Sequence, residues 1–548
     1  MNPSPAPARR RFGLAALLSA VLPGAGQWWL GRRRRGLLLA LPSLAVLGAL
    51  AYLARRGAAG LAEILVQPAW LWGLIGLNGA VALFRCGAVA DAWLLERPLG
   101  LGWGRSALRL APAIAVAAAL TVPQVIVHRY SVDALGLLDT VFVEPHEVPP
   151  LAQRIADLLA QGLSLEDLGP DLGTTSTSTT TAPTTTSATT APGSATSTTS
   201  STTNPTTTTT LPPEEVLAGE VGGSRVTVLL AGGDFGPGRA DLRTDVMIVA
   251  VLDLENDKAA LISVSRDLVQ APLPAAWSRF NTMLQVQQWH EDRAYQEAVA
   301  EAEAAGEAPP EQEPFEPCDC YFDRLNYLHV HTANWVQTFP AAPDPGMEAL
   351  REVMSLLLGI PIDHYVLVDF AGFVDLVDAI GGIDVNSTEE MHLAFSPAKE
   401  GEDPIEIDIT PGRHHLDGRT ALAYVRNRTG SSDSQRMLRQ RCLLRDLGAE
   451  LDAGTLLTRF TPIARAIASS TTSTLPLDLL PDLIRVVAEL DGGDIATAAI
   501  GYPGHTLPEL NYMNLPIVDA AKARATVAGL LAGLAEGTAG TSTAGECG

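Results

Sequence analysis

The chain has 548 residues, 47 % of them hydrophobic, and a formal net charge of −23. So acidic a chain repels nucleic-acid phosphates, which argues against general nucleic-acid binding and leaves room for one local anionic ligand. Five cysteines (Cys86, Cys318, Cys320, Cys442 and Cys547) are too few for a disulfide scaffold at this length.

The long apolar runs lie almost entirely before residue 130. Phe12 to Leu30 is broken by Pro23-Gly24-Ala25-Gly26, ends in Gln27-Trp28-Trp29-Leu30 and is followed by Arg32 to Arg35. This pattern predicts either a re-entrant hairpin with tryptophans at the headgroup level or one spanning helix. Leu37 to Ala54, Ile64 to Phe84 and Leu110 to Val127 each approach the roughly 20 residues that cross a hydrocarbon core. Residues 1–130 are therefore expected to be a multispan α-helical membrane region of about three to four hydrophobic helices. Arginines 9–11, 32–35, 97, 105 and 109 favour the cytoplasmic side, against Arg55 and Arg56, and place everything beyond Val127 outside the cell.

Residues 131–172 contain a short amphipathic pattern, with Leu151, Ile155, Leu158 and Leu159 at helical spacing. Residues 173–213 are almost wholly Thr and Ser with scattered Pro and Ala, a composition that cannot build a core and predicts a disordered, externally exposed linker. The remainder, 217–534, is long enough for a substantial core, and 535–548 is small, polar and expected to be loose. Export permits a disulfide, Cys320 to Cys442 being one pairing.

Within 217–534, Arg225–Ala231, Asp245–Leu254 and Ala259–Val264 read as buried strands, and Gly346–Leu358 and Gly372–Ile380 as helices. The fold class is α/β, a central mixed sheet flanked by helices. Further on, Leu475–Val487 and Asp519–Leu534 read as helices and Gly501–Leu510 as loop. Glu297–Pro317 reads as an acidic, solvated helix followed by a Pro-rich turn.

Polar clusters sit at the strand ends: Gly232-Gly233-Asp234, Arg243-Thr244-Asp245 and Ser265-Arg266-Asp267. Any one pair alone reads first as a cap or salt bridge. A fourth cluster, Leu416 to Gln440, places arginines at 426, 428, 436 and 439, with 441 and 445 just beyond, in a chain of only 38 basic residues. On an extended segment Tyr424, Arg426 and Arg428 share a face, and on a helix Arg436 and Gln440 do. Guanidinium forks match phosphate oxygens, so a phosphorylated ligand is the natural target. His329 and His331, near Cys318 and Cys320, do not have the spacing of a familiar zinc site and read first as packing residues. The aromatics Tyr321, Phe322, Tyr327 and Trp335 read equally as core or as the lining of a lipid pocket.

The ordered pieces VLLAGGD, LRTDVMIVAV, ALISVSRD, RFN, DHYVLVDFAGFVDLVDAIGGIDV and LDG…ALAYVRNR…D…R…RQ resemble the LytR-CpsA-Psr family. The resemblance implies a membrane-anchored phosphotransferase that moves a glycopolymer from a polyprenyl diphosphate carrier to peptidoglycan outside the cytoplasm, with Mg²⁺ (or Mn²⁺) at the diphosphate. It implies catalytic roles for Asp234, Arg243, Asp245, Arg266, Asp267, Arg426 and Arg428, with Asp234 and Asp245 near the metal. Substrate contacts fall to Arg279, Asn281, Arg436, Arg439 and Gln440. Asp234 or Asp267 is the candidate base for the acceptor hydroxyl, Asp234 slightly ahead because Asp267 can serve to orient Arg266. Membrane lipid and a peptidoglycan acceptor are the implied partners. Two departures stand out: Ser265 where the family usually has Pro, and Arg279 where it commonly has Lys. Hydrolysis of the same diphosphate, or its capture without turnover, are the alternative readings. Gly-, Ala- and Leu-rich, Lys-poor usage points to a GC-rich genome such as an actinobacterium's.

Overall fold

The computed structural model describes residues 13–55, 67–96, 111–142, 225–236, 239–274, 277–312, 314–336, 338–339, 342–395, 403–430, 432–451, 453–490, 495–536 and 547. The expected helix at Leu151–Gln161 and the Thr/Ser-rich stretch 173–213 lie outside them.

The N-terminal part is helical: α1 (Leu14–Val21), α2 (Ala25–Trp29), α3 (Arg33–Ala54), α4 (Pro68–Glu96), α5 (Ala111–Ala119) and α6 (Val122–Val141). Two helical stretches among the described residues, Pro68–Glu96 and Ala111–Val141, are long and apolar enough to cross a membrane. The first apolar run is a helical hairpin, α1 turning into α2 at Gly24, whose φ of 95° favours glycine. A methyl group on Gly24 would also meet the Gly36 carbonyl oxygen at 2.1 Å, so the turn packs tightly on α3. Buried Gln27 fastens the hairpin to α4, donating to Ala88 O and Asp91 Oδ2 at 3.0 Å each.

The larger part is an α/β domain. Its central sheet comprises β1 (Arg225–Gly236), β2 (Arg239–Asp253), β3 (Lys258–Val264), β4 (His364–Asp369), β5 (Thr471–Ser473) and β6 (Ile495–Ile500). The spatial order is β5-β4-β1-β2-β3-β6. β1 runs parallel to β4 and antiparallel to β2, and β3 runs antiparallel to β2 and parallel to β6, so the sheet is mixed. The helices are α7 (Asn281–Ala305), α8 (Pro345–Leu358), α9 (Phe370–Ile380), α10 (Gly418–Arg426), α11 (Asp433–Glu450), α12 (Ala453–Ser470), α13 (Leu480–Glu489) and α14 (Ala520–Glu536).

Side-chain caps mark several helix starts. Asp344 accepts from Met347 N, Asp369 from Gly372 N and Asp417 from Thr420 N, and Ser432 with Gln435 forms a capping box. The main core gathers the sheet's inner residues, such as Leu229, Val249 and Ile262, against Leu350, Val353 and Leu357 of α8. Trp277, Phe280, Trp335 and Phe339 pack beside them with ring centroids 5.0 to 6.4 Å apart. Trp335 and Tyr321 are thus fully buried core residues. A second core, with Phe370, Val377, Leu393 and Leu422, lies under two antiparallel strand pairs, Ile383–Ser387 with Gly412–Leu416 and Met391–Phe395 with Ile405–Ile409.

Four expectations are corrected. Tyr424 and Arg426 stand on α10, not on an extended segment, because Ala421, Leu422 and Val425 bury a helical face in the second core. Only Asn427, at φ −56° and ψ 130°, leaves the helix. Cys442 pairs with Cys547, and Cys318 with Cys320, so Cys320 and Cys442 are not joined. Cys547, expected in a loose tail, is buried by its disulfide. Half of the expected loop Gly501–Leu510 is a strand, Thr506–Leu510, paired with Pro516–Val518. The acidic insertion is helix to Ala305 and then exposed and irregular, as read from its composition.

The helical region touches the domain. Asp133 of α6 accepts a 2.7 Å hydrogen bond from Thr461 Oγ1 of α12 and lies 3.8 Å from Arg465. The Tyr130 and Phe460 rings are 5.6 Å apart, and Leu71, Ala134 and Leu138 form an apolar cluster with Phe460, Leu477 and Leu480.

Candidate active site

The site lies at the ends of β1, β2 and β3. Between Gly232 and Gly233 the register with β2 slips: Gly232 pairs with Val246 and Gly233 with Thr244. Asp245 is the extra residue, and such a bulge re-aims a side chain out of the regular ladder. Beyond it Asp234 pairs with Arg243 across the strands. β3 ends at Val264, so Ser265, Arg266 and Asp267 leave its tip together.

Arg266 forms a close ion pair with Asp245, both largely buried. Asn326 Nδ2 donates to Asp245 Oδ1 at 3.0 Å. Burial alone would raise the Asp245 pKa, but the charge and hydrogen bond of Arg266, with help from Asn326 and Arg426, hold it below the ordinary carboxylate range. Burial likewise works against the Arg266 charge, and Asp245 and Asp267 more than offset it. One nitrogen of Arg426 donates to Asp234 at 2.9 Å and lies 3.8 Å from Asp245. The Arg426 guanidinium is held over the Phe370 and Phe395 rings at 4.2 and 5.0 Å.

In front of this layer opens a cavity of about 500 Å³. Arg243, Arg266, Arg324 and Arg428 line it, against the acids Asp267 and Asp433. Four guanidinium groups facing one space in a chain of net charge −23 make a local positive site. Asp267 sits among three of them, 3.8 Å from Arg266, 3.8 Å from Arg324 and 3.7 Å from Arg428. Arg243 lies over the Tyr327 ring at 4.8 Å, which fixes its direction.

The structure therefore brings Asp234, Arg243, Asp245, Arg266, Asp267, Arg426 and Arg428 together as one two-layered cluster. Arg436 is behind the wall: buried and ion-paired with Asp433, its pKa pulled down by burial. Arg439 and Gln440 do not face the cavity. Arg439 donates to Tyr424 O and Asn427 O at 3.2 and 2.5 Å, and Gln440 to Val425 O at 3.4 Å. They satisfy the carbonyls that end α10, which otherwise lack partners. Arg279 is exposed, and Asn281 accepts from Gln285 in the first turn of α7; neither lines the cavity.

Sequence reading missed Arg324 and Asn326. They follow the acidic insertion, and backbone hydrogen bonds from Leu325 N to Leu268 O and Asn326 N to Arg266 O bring them to the site. It also missed Asp433 as a partner of Ser265, whose hydroxyl donates to Asp433 Oδ2 at 2.5 Å. His329 binds Asp344 and His331 meets Tyr321. Among the described residues no group of three or more His, Cys, Asp and Glu could hold a metal ion. Asp234 and Asp245 are two carboxylates drawn to one Arg426 nitrogen, and Asn326 Oδ1 is a buried acceptor without a hydrogen-bond partner. This is an all-oxygen donor set.

Fold and site define a mixed α/β domain, in contact with an apolar helical region, with four arginines lining one cavity. Residues 319–526 match the LytR_cpsA_psr family. The probable cell wall biosynthesis protein LcpB of Corynebacterium glutamicum is 30 % identical over 216 residues, 38 % of this chain and 49 % of that protein. The polyisoprenyl-teichoic acid–peptidoglycan teichoic acid transferase TagV of Bacillus subtilis is 39 % identical over 83 residues, 15 % of this chain and 20 % of that protein. The crystal structure of B. subtilis TagV aligns with a TM-score of 0.37 at 20 % identity, over 57 % of this chain and 97 % of that one. The matched segments thus span half or less of these two relatives' length.

Proposed function

We propose that the protein transfers a phosphate-linked glycan from a polyprenyl diphosphate carrier to a hydroxyl of peptidoglycan, on the outer side of a membrane in which its N-terminal helices are a multipass anchor. The observation that carries this reading is the cavity wall of Arg243, Arg266, Arg324 and Arg428, backed by Asp245 and Arg426. Phosphoryl transfer needs little covalent help from a protein. It needs fixed positive charge around the phosphate oxygens, in a geometry already set before reaction. Ion pairs and ring contacts hold Arg243 and Arg266 in that way.

In the reaction, the acceptor oxygen bonds to the phosphorus that carries the glycan. The bond from that phosphorus to the bridging oxygen breaks, and polyprenyl monophosphate leaves. Asp267 is the carboxylate on the cavity wall close to the arginines, so it is better placed than Asp234 to take the acceptor proton. Mg²⁺ or Mn²⁺ is the proposed cofactor: Asp234 and Asp245, with Asn326, offer the hard oxygen donors such ions prefer, alongside phosphate and water. When bound, the ion would neutralise charge on the phosphate oxygens.

The test uses the full chain in detergent, a polyprenyl diphosphate oligosaccharide, Mg²⁺ and a peptidoglycan fragment. Glycan joined to the fragment supports transfer. Release of phospho-oligosaccharide at the same rate without the fragment makes the protein a hydrolase, and tight binding without turnover makes it a carrier.

A further inference from the structure

The cavity has two unlike walls. One is the arginine wall. The other is neutral and is built from Met437, Tyr502, Leu510, Asn514, Leu515 and Pro516. Its most prominent members are open to solvent: Tyr502 is 61 % exposed, Leu510 is 45 % exposed, and Asn514 is exposed beside them.

The backbone that carries these side chains is held in place. β6 runs parallel to β3 with Ile500 opposite Val264, so Tyr502 lies two residues past one strand end as Arg266 does past the other. Ser265 N donates to Ile500 O at 2.8 Å, just before the strands part. A methyl group on Gly501 would meet Ser265 Cβ at 3.1 Å and Met437 Cε at 3.4 Å, so this turn lies directly on the base of the anion site. His505 N closes the turn onto Gly501 O at 2.9 Å. The second turn is tied by Asn511 Oδ1, which accepts from Met513 N and Leu515 N at 3.1 and 2.8 Å. Asn514 takes a left-handed φ of 55° within it.

We infer that this neutral wall is a sugar subsite, with Tyr502 as the platform on which a pyranose ring stacks when its phosphate occupies the arginine wall. This rests on the phosphate-binding reading above and adds the part of the ligand next to the phosphate. A pyranose has an apolar C–H face and hydroxyls around its edge. An exposed phenol ring matches the face, and the Asn514 amide supplies both a donor and an acceptor for the edge. A polyprenyl tail asks for the opposite, a closed apolar space from which water is excluded. An open rim with a phenol and an amide does not provide it.

The test measures binding by the full chain in detergent, by calorimetry, of three probes: inorganic phosphate, glucose 1-phosphate and farnesyl phosphate. The wild type is expected to bind glucose 1-phosphate about fivefold more tightly than inorganic phosphate. Tyr502→Ala removes that advantage and leaves inorganic phosphate unchanged, while Tyr502→Phe keeps it. Equal affinity of the wild type for the two probes overturns the subsite. So does an equal loss for both in Tyr502→Ala, which would mark a structural role. A farnesyl phosphate advantage that depends on Tyr502, with none for glucose 1-phosphate, assigns the wall to lipid instead. If no phosphate probe binds, the anion-site reading itself fails, and the subsite with it.

Discussion

Ser265 donates its hydroxyl hydrogen to Asp433 Oδ2 at 2.5 Å, joining the tip of β3 to the first turn of α11. Asp433 also pairs with Arg436. Ser265 is buried, but Asp433 is 28 % exposed on the cavity wall, so water can replace part of the lost donor. Ser265→Ala is expected to lower stability by about 0.5–1.5 kcal/mol, read as a thermal or denaturant shift of the full chain. Ser265→Pro should cost more, because it also deletes the N–H that bonds Ile500 O. A Pro variant as stable as wild type would show that the link to α11 contributes nothing.

Arg426 is the cation shared by Asp234 and Asp245. Arg426→Ala leaves both carboxylates short of a partner and is expected to reduce transfer by about a hundredfold or more. Arg426→Lys should not restore it, since a point charge cannot reproduce a planar group lying over Phe370 and Phe395. Steady-state rates of the three proteins decide this; full activity in the Lys variant would mean that only charge matters.

Asp245 sets an acid dependence. Its folded-state pKa is depressed, so its ionised form contributes stability above the unfolded carboxylate pKa of about 3.9. That contribution is lost as pH falls through the lower folded value. Melting temperatures of wild type and Asp245→Asn should therefore be furthest apart near neutral pH and converge in acid below about pH 4. A gap independent of pH would mean that the carboxylate charge is not what stabilises the site.

Much of this was legible in the sequence and some was not. The strands around Val228, Val249 and Ile262 show as apolar runs, and the glycines, aspartates and arginines at their ends mark the site. That Asp245 bulges is set by register with β1, which depends on the partner strand. Arg436 and Gln440 have the right types and spacing for ligand binding, yet Arg436 is buried against Asp433, and the carbonyls that Arg439 and Gln440 meet depend on where α10 stops. Arg324 and Asn326 are far from the other site residues in sequence and arrive through backbone hydrogen bonds. Cys442 meets a partner 105 residues away, a connectivity that spacing does not encode.

The contact of α6 with α12 predicts that the domain is seated on its anchor. With Cys86→Ser as background, Asp133→Cys and Thr461→Cys in the full chain should cross-link on mild oxidation, because the native side chains are in hydrogen-bond contact. A yield no higher than that of a pair placed on exposed, distant surfaces would mean that the domain moves freely.

Metal removal has its own signature. Chelation should abolish transfer, Mg²⁺ or Mn²⁺ should restore it, and Asp234→Asn should raise the metal concentration needed for half-maximal rate. Unchanged transfer in chelator would dismiss a metal role for these carboxylates.

The most direct measurement follows the phosphorus next to the sugar. A polyprenyl diphosphate oligosaccharide carrying ³²P at that position is incubated with the full chain, Mg²⁺ and a peptidoglycan fragment, beside Arg266→Ala. The label is expected to move onto the fragment with wild type, with unlabelled polyprenyl monophosphate released, and to stay on the lipid with the variant. Label that remains on the lipid with both proteins, or moves equally well with both, would contradict phosphoryl transfer at the arginine wall.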